Sequence, residues 1–154
     1  MEFIFRPLRR PDVESIITWH YDAPYTQYDG ERIASSFVMF LRHRRRLTLL
    51  GYEYYAVDST NGDFIGFFTF KKLSRNTINI GLGLRPDLTG KGYGLDFVQA
   101  GMKFAKGRYA PASFHLTVAP FNERAIKVYK RAGFKCLKRV LTLRGVRWVM
   151  RRDA

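Results

Sequence analysis

A chain of 154 residues with 46% hydrophobic composition is long and apolar enough to bury one core, which excludes a disordered tail or linker. No apolar run approaches the roughly 18 residues that a membrane-spanning helix requires, and the N-terminus lacks the layout of a signal peptide. The net charge of +14 is uneven, with fourteen basic residues and one acid, Glu123, over residues 97–152. Such a field favours anionic partners, whether coenzyme phosphates, nucleic acid, an anionic membrane or acidic substrates, or else serves as a solvated face. The single cysteine, Cys136, has no partner for an internal disulfide and is expected as a small buried hydrophobe in a reducing, cytoplasmic setting.

In chain order, residues 3–8 read as a strand with Pro7 near its end. Pro11 and Asp12 open a helix whose apolar face is Val13, Ile16 and Ile17. Residues 19–28 form an aromatic loop, and Asp29 is placed to cap a second helix striped by Ile33, Phe37, Phe40 and Leu41. The basic run 42–46 falls at that helix's C-terminus, where cations complement the dipole. Strands follow over 52–57 and 63–70, joined by a turn with an Asn61-Gly62 hairpin signal, and then over 75–84. Beyond a central helix come a strand at 113–119 and a helix capped by Asn122 that carries Ala125, Val128, Tyr129 and Ala132. Strands at 134–143 and 146–151 form a final hairpin about Arg144-Gly145. Neither a linker nor a repeat interrupts the chain. One domain over residues 1–154 is expected, with a mixed α/β fold whose largely antiparallel sheet is flanked by helices.

The stretch 79–106 organises the rest. A short apolar run, 80–84, is interrupted by Gly81 and Gly83 and closed by Arg85-Pro86-Asp87. Gly90, Gly92 and Gly94 follow within five residues, and then Leu95, Val98, Met102 and Ala105 at helical spacing. A strand, a glycine-rich loop and a helix start in that order make a phosphate cradle: the first helical N–H groups are unpaired and the glycines remove Cβ atoms from the anion's path. Lys91 is followed by Gly92 where a Walker loop needs Ser or Thr, and the loop holds no G-x-G-x-x-G, so the common nucleotide motifs are excluded.

Residues 89–94, Thr-Gly-Lys-Gly-Tyr-Gly, resemble the signature loop of the GCN5-related N-acetyltransferase (GNAT) family, Gln/Arg-x-x-Gly-x-Gly/Ala, with Thr89 in place of Gln/Arg. A second family block, Asn-x-x-Ala-x-x-x-Tyr-x-x-x-Gly-Phe, is matched by Asn122, Ala125, Tyr129, Gly133 and Phe134. The resemblance implies a CoA-dependent N-acetyltransferase whose fourth and fifth strands splay to admit the pantetheine arm of acetyl-CoA. It assigns that arm to backbone groups of Leu82, Gly83 and Leu84. It assigns the pyrophosphate to Thr89, Gly90, Lys91, Gly92, Tyr93, Gly94 and Leu95, and gives Asn122 a further coenzyme contact alongside its capping role. Tyr129 falls on the family's tyrosine and is the expected general acid toward the departing thiolate; a phenol is an apt donor to a thiolate in a water-poor site. The residue-level alternative is a tyrosine packed into the core.

The general base departs from the family pattern. Asn79 and Thr117 occupy the positions where members carry glutamate, and neither takes up a proton at neutral pH. His115, on the strand face of Thr117, and Glu53, on the second strand, are the side-chain candidates left, and a water relay to an already partly neutral amine is the alternative to both. No residue pattern points to a metal. The acceptor, a small-molecule or peptide amine, would lie near the aromatic loop and the first two helices by the same resemblance. A non-catalytic CoA-binding module, or a basic nucleic-acid-binding protein, is the alternative reading. No feature of the sequence specifies an oligomer or a membrane partner.

Overall fold

The computed structural model describes all of residues 1–154. Seven strands form one sheet in the order β1-β2-β3-β4-β5-β7-β6. They are β1 (Phe3–Pro7), β2 (Tyr52–Ser59), β3 (Phe64–Ser74), β4 (Thr77–Leu84), β5 (Ser113–Val118), β6 (Lys135–Thr142) and β7 (Gly145–Asp153). Every pairing is antiparallel except β4 with β5, which is parallel and connected through a helix, as parallel neighbours require. The mixed, largely antiparallel α/β architecture expected from the sequence is the one observed.

Helices cover both faces. On one, α4 (Gly94–Tyr109) and α5 (Glu123–Arg131) pack on the larger core, where Phe68, Phe70, Ile78, Ile80, Phe97, Phe114, Leu116 and Met150 are buried. On the other, α1 (Arg10–Ile17) and α2 (Gly30–Arg42) enclose Leu8, Val13, Ile16, Trp19, Phe37 and Phe67. Alternate residues of β3 serve the two cores, so Phe68 faces α4 while Phe67 faces α2, as strand periodicity demands. The Arg6 guanidinium fastens α1 to this frame, donating to Asp12 at 2.7 Å and to Asp58 at 2.6 Å. Asp12 also accepts the Arg9 N–H at 2.7 Å and so closes the first turn of α1.

Three local expectations are corrected. Asp29 stands at the N-cap position of α2 without capping it; its carboxylate accepts the Tyr21 N–H at 2.8 Å and fixes the aromatic loop instead. The basic run 42–46 does not simply end α2, since His43 breaks the helix and Arg44 begins a further short one, α3 (Arg44–Leu49). Cys136 is exposed, because β6 is an edge strand that no helix covers. No helix is long and apolar enough to cross a membrane.

Candidate active site

The site arises where β4 and β5 separate. Their pairing is confined to Thr77–Ser113, Ile78–Phe114 and Asn79–His115, after which neither strand has a partner on that side. The direction of the freed groups follows from two hydrogen bonds. The Arg85 N–H donates to Ile65 of β3 at 2.8 Å, whereas the Asn76 carbonyl accepts from Ala112 and Ser113 on the β5 side at 2.7 and 3.1 Å. Backbone groups alternate along a strand, so those of Ile80, Leu82 and Leu84 face the gap, and those of Gly81 and Gly83 face β3. Gly83 thus borders the cleft with its Cα but keeps its own N–H and carbonyl in the ladder, contrary to the expectation that all three of Leu82, Gly83 and Leu84 offer backbone groups. The absent side chains at 81 and 83 leave room for Thr69 and the Phe67 ring, into which added Cβ atoms would press.

The gap opens into a cleft of about 1060 Å³. Leu82, Gly83, Leu84, Thr89, Gly90, Gly92, Gly94, Leu95, Asn122 and Tyr129 all line it, so residues 40 positions apart in sequence are brought together by the fold. Lys91 and Tyr93 belong to the same loop but do not line the cleft. Gly90 and Gly92 have φ of +74° and +89°, the left-handed region that side chains disfavour, and no protein atom lies within 4 Å of a Cβ built at Gly92. Gly94 plays a different part, since a Cβ there would sit 3.1 Å from Val128 and force α4 away from α5. The first turn of α4 has no side-chain cap, so its leading N–H groups stay free beside the loop. The Thr89 hydroxyl is turned inward and donates to the Pro86 carbonyl at 2.7 Å.

Tyr129 projects from α5 with its ring edge-on to Phe134. Its hydroxyl bonds to no protein group, yet no buried polar side-chain atom is left unpartnered, so the hydroxyl opens to the cleft. Burial, and then the neighbouring Tyr28, push its pKa up, keeping the phenol protonated at neutral pH. Asn122 caps α5, its side-chain oxygen accepting the Ala125 N–H at 3.2 Å, and also borders the cleft.

Neither candidate base reaches this space. Glu53 lies on the α4 side of β2, where Arg108 donates to it at 2.8 Å, Tyr109 at 2.6 Å and Tyr55 at 2.7 Å. Burial acts to raise its pKa, but these donors outweigh burial and hold it down to about 2. His115 shares the face of Thr117, as expected, but sits at the last paired position, below the point where the strands part. Burial, Arg151 and Lys138 all lower its pKa. Of the 33 lining residues, none is histidine and one, Glu123, is acidic.

Arg124 and the residues of the final hairpin escaped the sequence reading, whereas Tyr21, Tyr25 and Tyr28 belong to the aromatic loop it expected near the acceptor. Arg124 reaches to 3.9 Å of the Cβ position of Gly90 and lies over the Tyr25 ring, 4.2 Å from its centroid, bringing to the loop a charge that Thr89 lacks. Its place in the second family block, between Asn122 and Ala125, is the signal that could have found it. Tyr25 and Tyr28 flank Phe121, with centroids 6.4 and 6.0 Å away, and Tyr21 donates to the Leu84 carbonyl at 2.8 Å. Thr142, Leu143, Arg144 and Arg147 complete the wall from the final hairpin. No cluster of three or more His, Cys, Asp or Glu gathers to hold a metal ion.

A splayed parallel pair, an open strand edge and a glycine-rich loop at a free helix start define the acetyltransferase class of fold. A family model described as "Acetyltransferase (GNAT) domain" matches residues 2–135, and the chain belongs to the GNAT family of N-acetyltransferases. Among solved structures, a spermidine N-acetyltransferase SpeG chimera from Vibrio cholerae and hSSAT superposes with a TM-score of 0.80 at 14% identity, over 99% of this chain and 96% of that one. The Vibrio cholerae spermidine N-acetyltransferase in complex with CoA and spermine gives 0.72 at 15% identity, over 98% and 95%. A ribosomal-protein-S5-alanine acetyltransferase from Vibrio fischeri gives 0.67 at 14% identity, over 99% and 93%. No curated protein matches the chain by sequence.

Proposed function

We propose that this protein moves an acetyl group from acetyl-CoA directly to a primary amine. The observation that carries the reading is the free backbone edge of β4 ending beside the uncapped start of α4. One binds an extended amide-containing arm; the other binds the phosphates. A cradle with open space at Gly92 and the Arg124 guanidinium nearby fits a pyrophosphate. Bound there, the coenzyme supplies the activated acetyl thioester.

The chain's own residues do the rest. The Leu84 N–H points into the gap and polarises the acyl oxygen. The neutral amine forms its bond to the acyl carbon as the carbon–sulfur bond breaks. Tyr129 donates its proton to the departing sulfur, and the proton released by nitrogen restores the phenol through water. No carboxylate base is needed, because cations along the cleft lower the pKa of a bound ammonium and enlarge its neutral fraction. The exposed single thiol fits a reducing location, and we assign the protein to the cytoplasm.

The test is thermal stabilisation by acetyl-CoA, with dephospho-CoA alongside, followed by thiol release in the presence of amines. A coenzyme at 100 times its Kd stabilises by about 2.7 kcal/mol. Saturable stabilisation and amine-dependent thiol release are expected; stabilisation without release from any amine would leave a binding module. The structural relatives make spermidine and peptide N-termini natural members of the amine panel.

A further inference from the structure

The two sides of the cleft differ in what their charges face. Arg124, Lys127 and Arg131 stand on α5, on the side where the phosphate loop lies. Arg144 and Arg147 come from the final hairpin. In β7, Trp148 packs against the larger core and Met150 lies within it, so Arg147 alternates to the opposite face. That is the face on which Tyr21, Ile33 and Phe67 line the cleft beneath α1 and α2. Arg147 is half-buried, and neither it nor Arg144 is among the ion-paired residues, whereas Arg6, Arg85 and Arg108 are all held by carboxylates. The hairpin tip is braced rather than loose. Thr142 Oγ1 donates to the Gly145 carbonyl at 2.8 Å and accepts the Arg144 N–H at 3.2 Å.

Resting on the acetyl-transfer reading, we infer that the acceptor is an amine whose own skeleton carries an oxyanion together with an apolar or aromatic body, and not a polyamine. Arg144 and Arg147 recognise the oxyanion, and Tyr21, Ile33 and Leu143 supply the apolar surface. A polycation would meet two guanidinium groups outside any ion pair, while the one acidic residue lining the cleft, Glu123, stands on α5 on the phosphate-loop side and the nearby Asp29 carboxylate is engaged by the Tyr21 N–H, an arrangement that disfavours a second ammonium through like-charge contact. An oxyanion near two guanidinium groups forms charge-assisted hydrogen bonds, and the guanidinium fork matches the geometry of a carboxylate or phosphate.

The experiment is steady-state thiol release from acetyl-CoA with four probe amines: phenylalanine, phenethylamine, phosphoethanolamine and spermidine. Phenylalanine is expected to exceed phenethylamine at least tenfold in kcat/KM through KM, with spermidine the poorest. Phosphoethanolamine separates a carboxylate preference from a general oxyanion preference. Arg147→Gln and Arg144→Gln should each erase the advantage of the anionic amines by raising KM, Arg147→Lys should restore part of it, and stabilisation by acetyl-CoA should be unchanged in all three. Spermidine used as well as phenylalanine, or a KM unmoved by the substitutions, would overturn the inference while leaving acetyl transfer intact. Loss of coenzyme stabilisation in the variants would overturn it by placing these arginines on the phosphates. Release with no amine would remove the transfer reading and the inference with it.

Discussion

The Tyr21 hydroxyl donates at 2.8 Å to the carbonyl of Leu84, joining the aromatic loop before α2 to the open edge of β4 across 63 residues of sequence. The carbonyl it occupies points into the gap, so the bond both satisfies a group left free by strand separation and holds the loop over the cleft. Tyr21→Phe should therefore lower stability by about 1 kcal/mol and raise the acceptor KM severalfold. Calorimetry and initial rates check this; an unchanged KM would show that packing and the Asp29 hydrogen bond hold the loop without the hydroxyl.

Tyr129→Phe keeps the ring and its contact with Phe134 while removing the proton that the proposed mechanism sends to sulfur. We expect kcat to fall by about a hundredfold, within the range of general acid catalysis, and acetyl-CoA to stabilise the variant as it does the parent. Equal turnover would return Tyr129 to a packing role.

Gly92 and Gly94 sit two residues apart and should respond differently. Gly92→Val forces a branched side chain to a φ of +89° and fills the cradle, so coenzyme stabilisation should disappear with about 1–2 kcal/mol of strain. Gly94→Val meets Val128 and should show its main effect in Tm. If both variants bind acetyl-CoA as the parent does, the loop is not the phosphate site.

Glu53, bound by Arg108, Tyr109 and Tyr55, has a pKa held at about 2 against an ordinary value of 4.5. A lowered carboxyl pKa stabilises the fold above the unfolded value, so this contribution is whole above about pH 4.5 and fades as pH falls toward 2. Glu53→Gln should flatten the acid-unfolding curve in that window and leave kcat as in the parent. A large fall in kcat with unchanged Tm would restore Glu53 as a base.

With neither His115 nor Glu53 in the cleft, the pH dependence of kcat/KM should follow the acceptor amine. Activity rises with pH until the bound amine is neutral, and His115→Gln leaves the profile in place. A profile that shifts with His115 would contradict the position of that residue below the gap.

Local chemistry was legible because it is written in neighbouring residues. The glycine spacing at 90, 92 and 94, the proline after Arg85 and the capping Asn122 act on backbone a few positions away, so the strand, loop and helix order and the place of Tyr129 followed from the chain itself. Period-two alternation correctly paired the faces of His115 and Thr117. It could not say where β4 and β5 part, because the pairing ends at Asn79 and His115, residues 36 positions apart that only the tertiary structure brings together. That point decides why Thr117 lines the cleft and His115 does not. Glu53 was misread for a similar reason: its donors Arg108 and Tyr109 lie more than 50 residues away, and only packing turns a strand glutamate into a sequestered ion-pair partner. The +14 charge was visible as a sum, but which arginines are held in ion pairs, as Arg6 and Arg108 are, and which stand unpaired along the cleft, as Arg124, Arg131, Arg144 and Arg147 do, is a tertiary fact, set by which carboxylates the fold brings within reach.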